Sequence, residues 1–273
     1  MAGHSIDDLY GEGPLSTEEI DALLDESLQP RGPEMLFDLA EELGVTSETL
    51  VLDVGARDGR HQLELARRFG CRSVGIEPIR ANLDRGRALL ADARRDEPEV
   101  AAAVGFVQGI GEHLPFADDT FGFVWCRDVL IHVPDLEVAL SECRRVLRPG
   151  ASMLAFQMFA TPWLEASEAE RLWPPIAAVP ANTDPARFER AVAGAGFRVD
   201  RMEELRSEWR EHGEESGPGR TSRQLLHAAR LLRDPDRYRS KMGSTDYEVE
   251  LGDALWGIYQ MIGKLSPRVY VLS

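Results

Sequence analysis

The chain has 273 residues, 43% of them hydrophobic, a formal net charge of −16 at neutral pH and a sequence pI near 4.9. That length is enough to bury one sizeable core with additions, and so acidic a surface repels a phosphate backbone, which argues against nucleic acid as a partner. No run of about 18 apolar residues is present to span a membrane, and residues 1–13 are polar and acidic rather than signal-like, so a cytoplasmic protein without a membrane partner is expected.

In chain order, residues 16–29 open with a capping box, Ser16 with Glu19, and place Ile20, Leu23, Leu24 and Leu28 on one helical face. A second helix runs from Pro33 through Leu43 and stops at Gly44. Strand 50–54, helix 60–69, strand 73–77, helix 80–95, strands 104–108 and 121–126, helix 135–147 and strand 151–158 follow. Alternating strands and helices predict right-handed crossovers and a parallel sheet covered on both faces. The rhythm breaks at Thr161-Pro162-Trp163, and the proline-rich stretch to Pro185 reads as an insertion. Helix 185–195, strand 197–205, a charged glycine-rich loop over 213–219, helices 221–233 and 246–262 and strand 268–272 complete the pattern. Cys71, Cys126 and Cys143 have no C-x-x-C spacing and read as small buried hydrophobes, with no disulfide framework and no zinc site.

The most informative stretch is Val51-Leu52-Asp53-Val54-Gly55-Ala56-Arg57-Asp58-Gly59-Arg60, followed by Gly75-Ile76-Glu77-Pro78. A buried strand ends in a glycine turn that lets the backbone approach a ligand, and a helix N-terminus faces the turn. About 20 residues on, an acid ends the neighbouring strand, where a ribose diol would find its acceptor. Together these predict a nucleoside-cofactor site. Arg57 stands where a middle glycine is expected, and the G-x-G-x-x-G turn of a nicotinamide-dependent dehydrogenase is missing.

Four segments in combination resemble the class I S-adenosylmethionine-dependent methyltransferases, in their small-molecule branch. They are Leu52-Asp53-Val54-Gly55-x-x-x-Gly59; Gly75-Ile76-Glu77; Gly109-Ile110-Gly111-Glu112-His113-Leu114-Pro115-Phe116 with Asp119-Thr120-Phe121; and Cys126 to Asp135 with Val146-Leu147-Arg148-Pro149-Gly150. The resemblance implies an α/β fold: a Rossmann-like, doubly wound, mostly parallel seven-stranded sheet with N-terminal helices and helical insertions after strands five and six. The expected division is an N-terminal helical cap over 1–47 and a cofactor domain over 48–273, whose insertions at about 160–185 and 206–265 shape an acceptor pocket.

It also implies residue roles. Asp53 accepts a bond from the cofactor's ammonium or from neighbouring amides. The backbone of Gly55, Ala56, Arg57 and Gly59 embraces the methionine portion, with main-chain amides holding the amino-acid tail. Glu77 takes the ribose hydroxyls, Pro78 and Ile79 offer an apolar face to adenine, and the backbone of Gly109, Ile110 and Gly111 meets its edge. Ile110 replaces the family's aspartate, which leaves adenine recognition to the main chain or to Glu112. Backbone around Cys126 and Arg127 reaches the amino-acid end.

His132, just beyond the fourth strand, is the candidate general base, because imidazole titrates near working pH; the alternative is that it only holds its loop. Asp128 is expected to orient it or to cap the turn. His61, His113, His212 and His227 lack partners at metal-ligand spacing and read as solvated. Trp163, Trp173, Trp209 and Trp256 either roof an apolar pocket or pack as core. Tyr10 is a candidate to fold over the cofactor, and Arg31 either neutralises a carboxylate or lies at the surface.

The function expected is methyl transfer from S-adenosylmethionine to O, N or C of a small organic acceptor in secondary metabolism, with S-adenosylhomocysteine as product. The alternative is a protein that binds the cofactor without transfer and serves as a binding or regulatory partner. Exposed apolar faces on the added helices would accommodate a homodimer.

Overall fold

A computed structural model describes residues 14–217 and 219–273, so Tyr10 and Pro218 lie outside the described residues. The chain divides into two compact units, Met1–Pro30 and Arg31–Ser273. In the first, helix α1 (Thr17–Leu24) has the expected capping box: Ser16 Oγ accepts the Glu19 N–H at 3.2 Å and the Glu19 carboxylate accepts the Ser16 N–H at 2.8 Å. It ends at Leu24, short of residue 29. Beyond it Ser27 Oγ takes the Gln29 N–H at 3.1 Å, a local side-chain bond that competes with the helical ladder.

In the second unit seven strands, β1 (Leu50–Val54), β2 (Arg72–Glu77), β3 (Val104–Gln108), β4 (Phe121–Arg127), β5 (Leu147–Ala160), β6 (Val199–Glu204) and β7 (Leu265–Leu272), form one sheet. Their order is β3-β2-β1-β4-β5-β7-β6. The pairs from β3 through β5 are parallel, and β7 runs antiparallel between β5 and β6. The doubly wound, mostly parallel sheet that the resemblance implies is therefore present. The chain leaves β1 toward β2 on one side and returns to β4 on the other, which puts a topological switch point at the carboxyl ends of β1 and β4, where open α/β sheets gather ligands.

Alternation along each strand assigns the two faces. Leu52 and Val54 of β1 join Val124 and Cys126 of β4 in a core with α6 (Leu136–Val146) and α8 (Pro185–Gly194). Val51, Phe123 and Trp125 point the other way, into a core with α2 (Glu34–Glu42) and α3 (Arg60–Phe69). Helix α2 places Leu36, Phe37, Leu39 and Ala40 in that core, with Phe37 stacked on Trp125 at 5.1 Å. Helices α4 (Arg80–Asp96) and α5 (Pro98–Ala102) flank β3.

Besides the two helices expected, α10 (Arg220–Arg233) and α12 (Ser244–Met261), the insertions carry α7 (Ala166–Leu172), α9 (Glu208–Glu215) and α11 (Pro235–Met242). The stretch read as a glycine-rich loop over 213–219 instead begins inside α9. Glu214 there accepts the N–H of Thr221 and the hydroxyl of Ser222, so its charge tethers the start of α10 to α9. A third core, with Leu172, Trp173, Leu231, Tyr247, Leu251 and Tyr259, packs the insertions on Ile131 and Met158. Among the described residues no helix is long and apolar enough to cross a membrane. The three cysteines are buried and unpaired, and burial pushes the Cys71 and Cys143 thiols up to about 11 and about 12.

Candidate active site

The turn after β1 is built by three left-handed residues, Gly55 (φ 74°), Arg57 (φ 52°) and Gly59 (φ 77°). Arg57 thus supplies the conformation of the missing middle glycine while its side chain stays exposed. The N–H groups of Gly55 and Ala56 donate to Ile76 O at 2.9 and 3.1 Å, and that of Gly59 to Ala56 O at 2.8 Å. Arg57 N–H donates to Glu77 Oε2 at 3.0 Å. Four amides expected to hold an amino-acid tail are therefore engaged within the protein, and the turn offers close approach rather than a set of free donors. The space at the glycines is also taken by protein: a Cβ on Gly55 would lie 2.2 Å from Val129 Cγ2, and one on Gly59 2.4 Å from Phe106 Cζ.

Glu77, only 5% exposed, holds this turn. Besides the Arg57 N–H, its Oε1 accepts Ile79 N–H and Asn82 Nδ2, both at 2.9 Å. A carboxylate has about four acceptor positions, so three protein donors leave room for about one ligand hydroxyl rather than two taken independently. Asn82 escaped the sequence reading because its i+5 spacing from Glu77 has no signature until the strand end and α4 are in place.

Asp53, 2% exposed, keeps Oδ2 buried without a partner. Burial pushes its carboxyl up to about 7; Arg127 opposes this and Glu77 adds to it. A desolvated, unpaired carboxylate beside the turn fits an ammonium group.

At the ends of β2 and β3, Gly109 N–H donates to Glu77 O at 3.3 Å and Gln108 Nε2 to Pro78 O at 3.1 Å. This brings 77–79 alongside 108–110, with Ile79 55% and Ile110 48% exposed, a small apolar surface next to Pro78. Ile110 bridges to His113, and Gly111 and Glu112 form the turn between them.

At the end of β4, Cys126 turns its thiol into the core, so only its backbone can serve the site. Arg127 faces the same side as Asp53, whose register partner is Trp125. Its Nη1 meets His61 Nε2, and its guanidinium lies 5.2 Å from the Trp209 ring and 5.7 Å from that of Phe156. His61 is accordingly not a solvated histidine: it packs on Trp125 at 5.9 Å, and burial, reinforced by Arg127, lowers it to about 4. His212 is half-buried over Gly32, whereas His113 and His227 are exposed.

Asp128 adopts φ 59° and donates its N–H to Phe156 O at 2.7 Å. Its Oδ1 is buried without a partner, and its carboxylate neither bonds His132 nor caps a turn, against expectation. Burial pushes its carboxyl up; Arg127, His132 and Arg210 pull it down. His132 Nδ1 lies 3.1 Å from Ala177 O. A carbonyl only accepts, so Nδ1 carries the proton and a neutral His132 keeps its lone pair on Nε2. Arg31 pairs with Glu208 at 2.7 Å and with Glu203, an internal clamp. Of the tryptophans, Trp163 is exposed, Trp173 and Trp256 pack edge to face at 6.4 Å, and Trp209 lies against Phe156 at 4.6 Å.

The sheet order and the acid-bearing switch point define a Rossmann-like fold of the methyltransferase type. A geranyl diphosphate C-methyltransferase of Streptomyces coelicolor A3(2) shares it with a TM-score of 0.62 at 16% identity, over 88% of this chain and 74% of that one. The profile of the methyltransferase domain family matches residues 52–155. Over 126 residues the chain is 35% identical to the methyltransferase GfsG of Streptomyces halstedii, covering 46% of this chain and 44% of that protein. Over 124 residues it is 31% identical to a sarcosine/dimethylglycine N-methyltransferase of Halorhodospira halochloris, covering 45% and 42%. The matches thus span less than half the length of these two relatives. The segment 52–155 thus matches the methyltransferase domain family, and the fold around it is the one seen in S-adenosylmethionine-dependent methyltransferases.

Proposed function

We propose that this protein transfers a methyl group from S-adenosylmethionine to an oxygen, nitrogen or carbon of a small organic acceptor, in the cytoplasm and in secondary metabolism. The observation that carries the reading is the unpartnered Asp53 Oδ2, buried beside a turn that Glu77 braces. When bound, S-adenosylmethionine supplies an electrophilic methyl on a sulfonium. Asp53 would hold the ammonium, the close backbone of Gly55 to Gly59 would pack on the methionine portion, and backbone at Cys126 and Arg127 would reach the same end. The remaining acceptor position of Glu77 would take a ribose hydroxyl. Pro78, Ile79 and Ile110 would cover the adenine face, with main chain from Gly109 to Gly111 and the Glu112 carboxylate at its edge.

In-line transfer asks the protein mainly for alignment and for exclusion of water. A base is needed only where the acceptor must lose a proton, and His132, with Nε2 free to accept, would remove it from an O–H or N–H acceptor. The segments at about 160–185 and 206–265 would wall the acceptor pocket. One relative is named for sarcosine and dimethylglycine and one structural neighbour for geranyl diphosphate, so membership of this fold leaves the acceptor atom open.

Isothermal titration with S-adenosylmethionine and S-adenosylhomocysteine, followed by a radiolabel transfer screen over small acceptors, tests the reading. Absence of affinity for both cofactors overturns it. Binding with no transfer across a broad acceptor panel moves the protein to the alternative role, a cofactor-binding partner.

A further inference from the structure

His132 sits in a short loop, Leu130 to Val133, that one segment of the insertion after β5 holds residue by residue. Asn182 Nδ2 donates to Leu130 O at 2.9 Å and to Val133 O at 2.8 Å. Val179 N–H donates to Ile131 O at 2.8 Å, and Ala177 O accepts the N–H of His132 Nδ1 at 3.1 Å. Every residue of the loop is thus bonded to the stretch 177–182, from 45 to 52 residues away in the chain. Leu130, Ile131 and Val133 are buried, and His132 alone is exposed. The loop therefore has a fixed underside and one side chain presented outward.

The holding segment is itself built for this geometry. After α7, Ala178 N–H donates to Trp173 O and Ala177 N–H to Pro174 O, both at 3.1 Å, the pair of bonds of a Schellman turn. Glycine usually takes the left-handed position of such a turn, yet Ala177 occupies it at φ 53°, and its strained backbone offers the carbonyl that His132 meets. Asn182 is fully buried. Its own N–H donates to Val179 O at 2.9 Å, and its carbonyl accepts Gln157 Nε2 from β5 at 3.4 Å. The side-chain amide is thereby anchored to the sheet, and both of its N–H groups go to the His132 loop. Strain at Ala177 and a buried amide at Asn182 act together on one exposed imidazole, as supports around a working side chain do.

Resting on the methyltransferase reading of the site, we propose that Asn182 is a positioning residue for methyl transfer: by pinning both ends of the loop it keeps Ala177 O on Nδ1 and so keeps Nε2 of His132 bare. Which ring nitrogen carries the proton is set by the bond the other makes, so a loosened loop loses the tautomer along with the position. In the step, the acceptor oxygen or nitrogen bonds the methyl carbon, the carbon–sulfur bond breaks with its electrons left on sulfur, and the acceptor's proton passes to Nε2. The acceptors served by this arrangement are O–H and N–H groups, because a held, bare Nε2 gives nothing to an acceptor that has no proton to lose.

NMR correlation of the imidazole nitrogens with their carbon-bound protons, on the full chain in alkaline buffer where imidazole is neutral, reads the tautomer without any acceptor. His132 is assigned by its absence in His132→Ala. The unaltered protein should show Nδ1 protonated and Nε2 bare. Asn182→Leu, close in volume but without donors, is expected to move the population toward Nε2–H. It should also cut kcat on an O–H or N–H acceptor from the transfer screen by about tenfold or more, with KM and affinity for S-adenosylhomocysteine within about twofold. Asn182→Ser, whose hydroxyl can restore one of the two bonds, should fall between. An Nε2–H tautomer in the unaltered protein overturns the proposal. So does Asn182→Leu with the Nδ1–H tautomer and kcat both kept, whatever its melting temperature, and so does a raised KM at unchanged kcat, which would give Asn182 to the acceptor's binding alone. Should Asn182→Leu fail to fold, amide exchange in the unaltered protein decides: Asn182 Nδ2 protons that exchange as freely as exposed ones overturn the proposal, and protected ones beside an Nδ1–H tautomer uphold it. A wrong tautomer with S-adenosylhomocysteine still bound removes this proposal alone; absence of S-adenosylhomocysteine binding removes the methyltransferase reading and the proposal with it.

Discussion

The Glu77 carboxylate accepts the backbone N–H of Arg57 at 3.0 Å across 20 residues of chain, tying the turn after β1 to the end of β2. With Ile79 N–H and Asn82 Nδ2 on its other oxygen, it is at once a proposed ribose acceptor and the brace that shapes the site. Glu77→Ala strands three donors, each bonded to a charge at about 1.5–3 kcal/mol. Calorimetry and thermal melts on this variant should show S-adenosylhomocysteine affinity reduced by at least about tenfold, together with a lower Tm. Unchanged affinity would remove Glu77 from the ribose.

Asp53 is expected to make cofactor binding dependent on pH. Its folded pKa, about 7 against an ordinary 3.8, means the folded state holds a proton that the unfolded state has released between those values, so this group lowers stability as pH rises from about 4 to about 7. An ammonium placed at Oδ2 reverses the shift, and binding below about pH 7 should therefore release a proton. Affinity for S-adenosylhomocysteine is expected to rise with pH up to about 7 and then level. Titration at about pH 6 in buffers of different ionisation heat measures the proton; heats independent of buffer would show that no cation sits at Asp53.

His61 contributes the opposite slope. Its folded pKa of about 4 against 6.5 leaves it neutral in the fold while the unfolded chain takes up a proton, so its share of stability is present above about pH 6.5 and is lost as pH falls toward 4. Denaturant melts of wild type and His61→Phe between those limits should diverge, with the variant showing the shallower loss. Parallel curves would mean that Arg127 and burial do not hold the ring neutral.

His132→Ala is expected to leave S-adenosylhomocysteine affinity within about twofold while cutting turnover of an O–H or N–H acceptor by about a hundredfold or more. A tertiary-amine acceptor, which has no proton to lose, would lose far less. Equal loss on both classes would mean that the Ala177 contact, not proton removal, is what the residue provides.

Gly55 is needed for two separable reasons, φ 74° and the 2.2 Å approach of Val129 to the position of a Cβ. Gly55→Ala should cost about 1–3 kcal/mol of stability from backbone strain alone, plus the clash. Adding Val129→Ala relieves only the clash, so the double variant should recover part of the denaturation midpoint. Full additivity of the two losses would show that the side chains do not meet.

Much of the frame was legible in the primary structure. Strands 50–54 and 104–108 and the helix 60–69 were placed at their observed bounds, because apolar runs, period-2 alternation and flanking glycines report local backbone geometry directly. The short helices α7, α9 and α11 were not, since amphipathic patterns of seven or eight residues broken by Gly213 or bounded by prolines carry too few turns to stand out. Glu77 was visible as the acid ending a second strand, but its hold on Arg57 and Asn82 was not.

By itself, then, the order of residues determined the crossovers, the glycine turn and the acids at the strand ends, each a property of a few neighbouring positions and their steric preferences. Tertiary structure decided the rest: β7 slipping antiparallel between β5 and β6, Arg127 meeting His61 across 66 residues, and His132 reaching Ala177 across 45. These contacts join groups from separate crossovers and the insertions, and their energies depend on burial and on which partners the sheet order brings together, quantities that no local pattern contains.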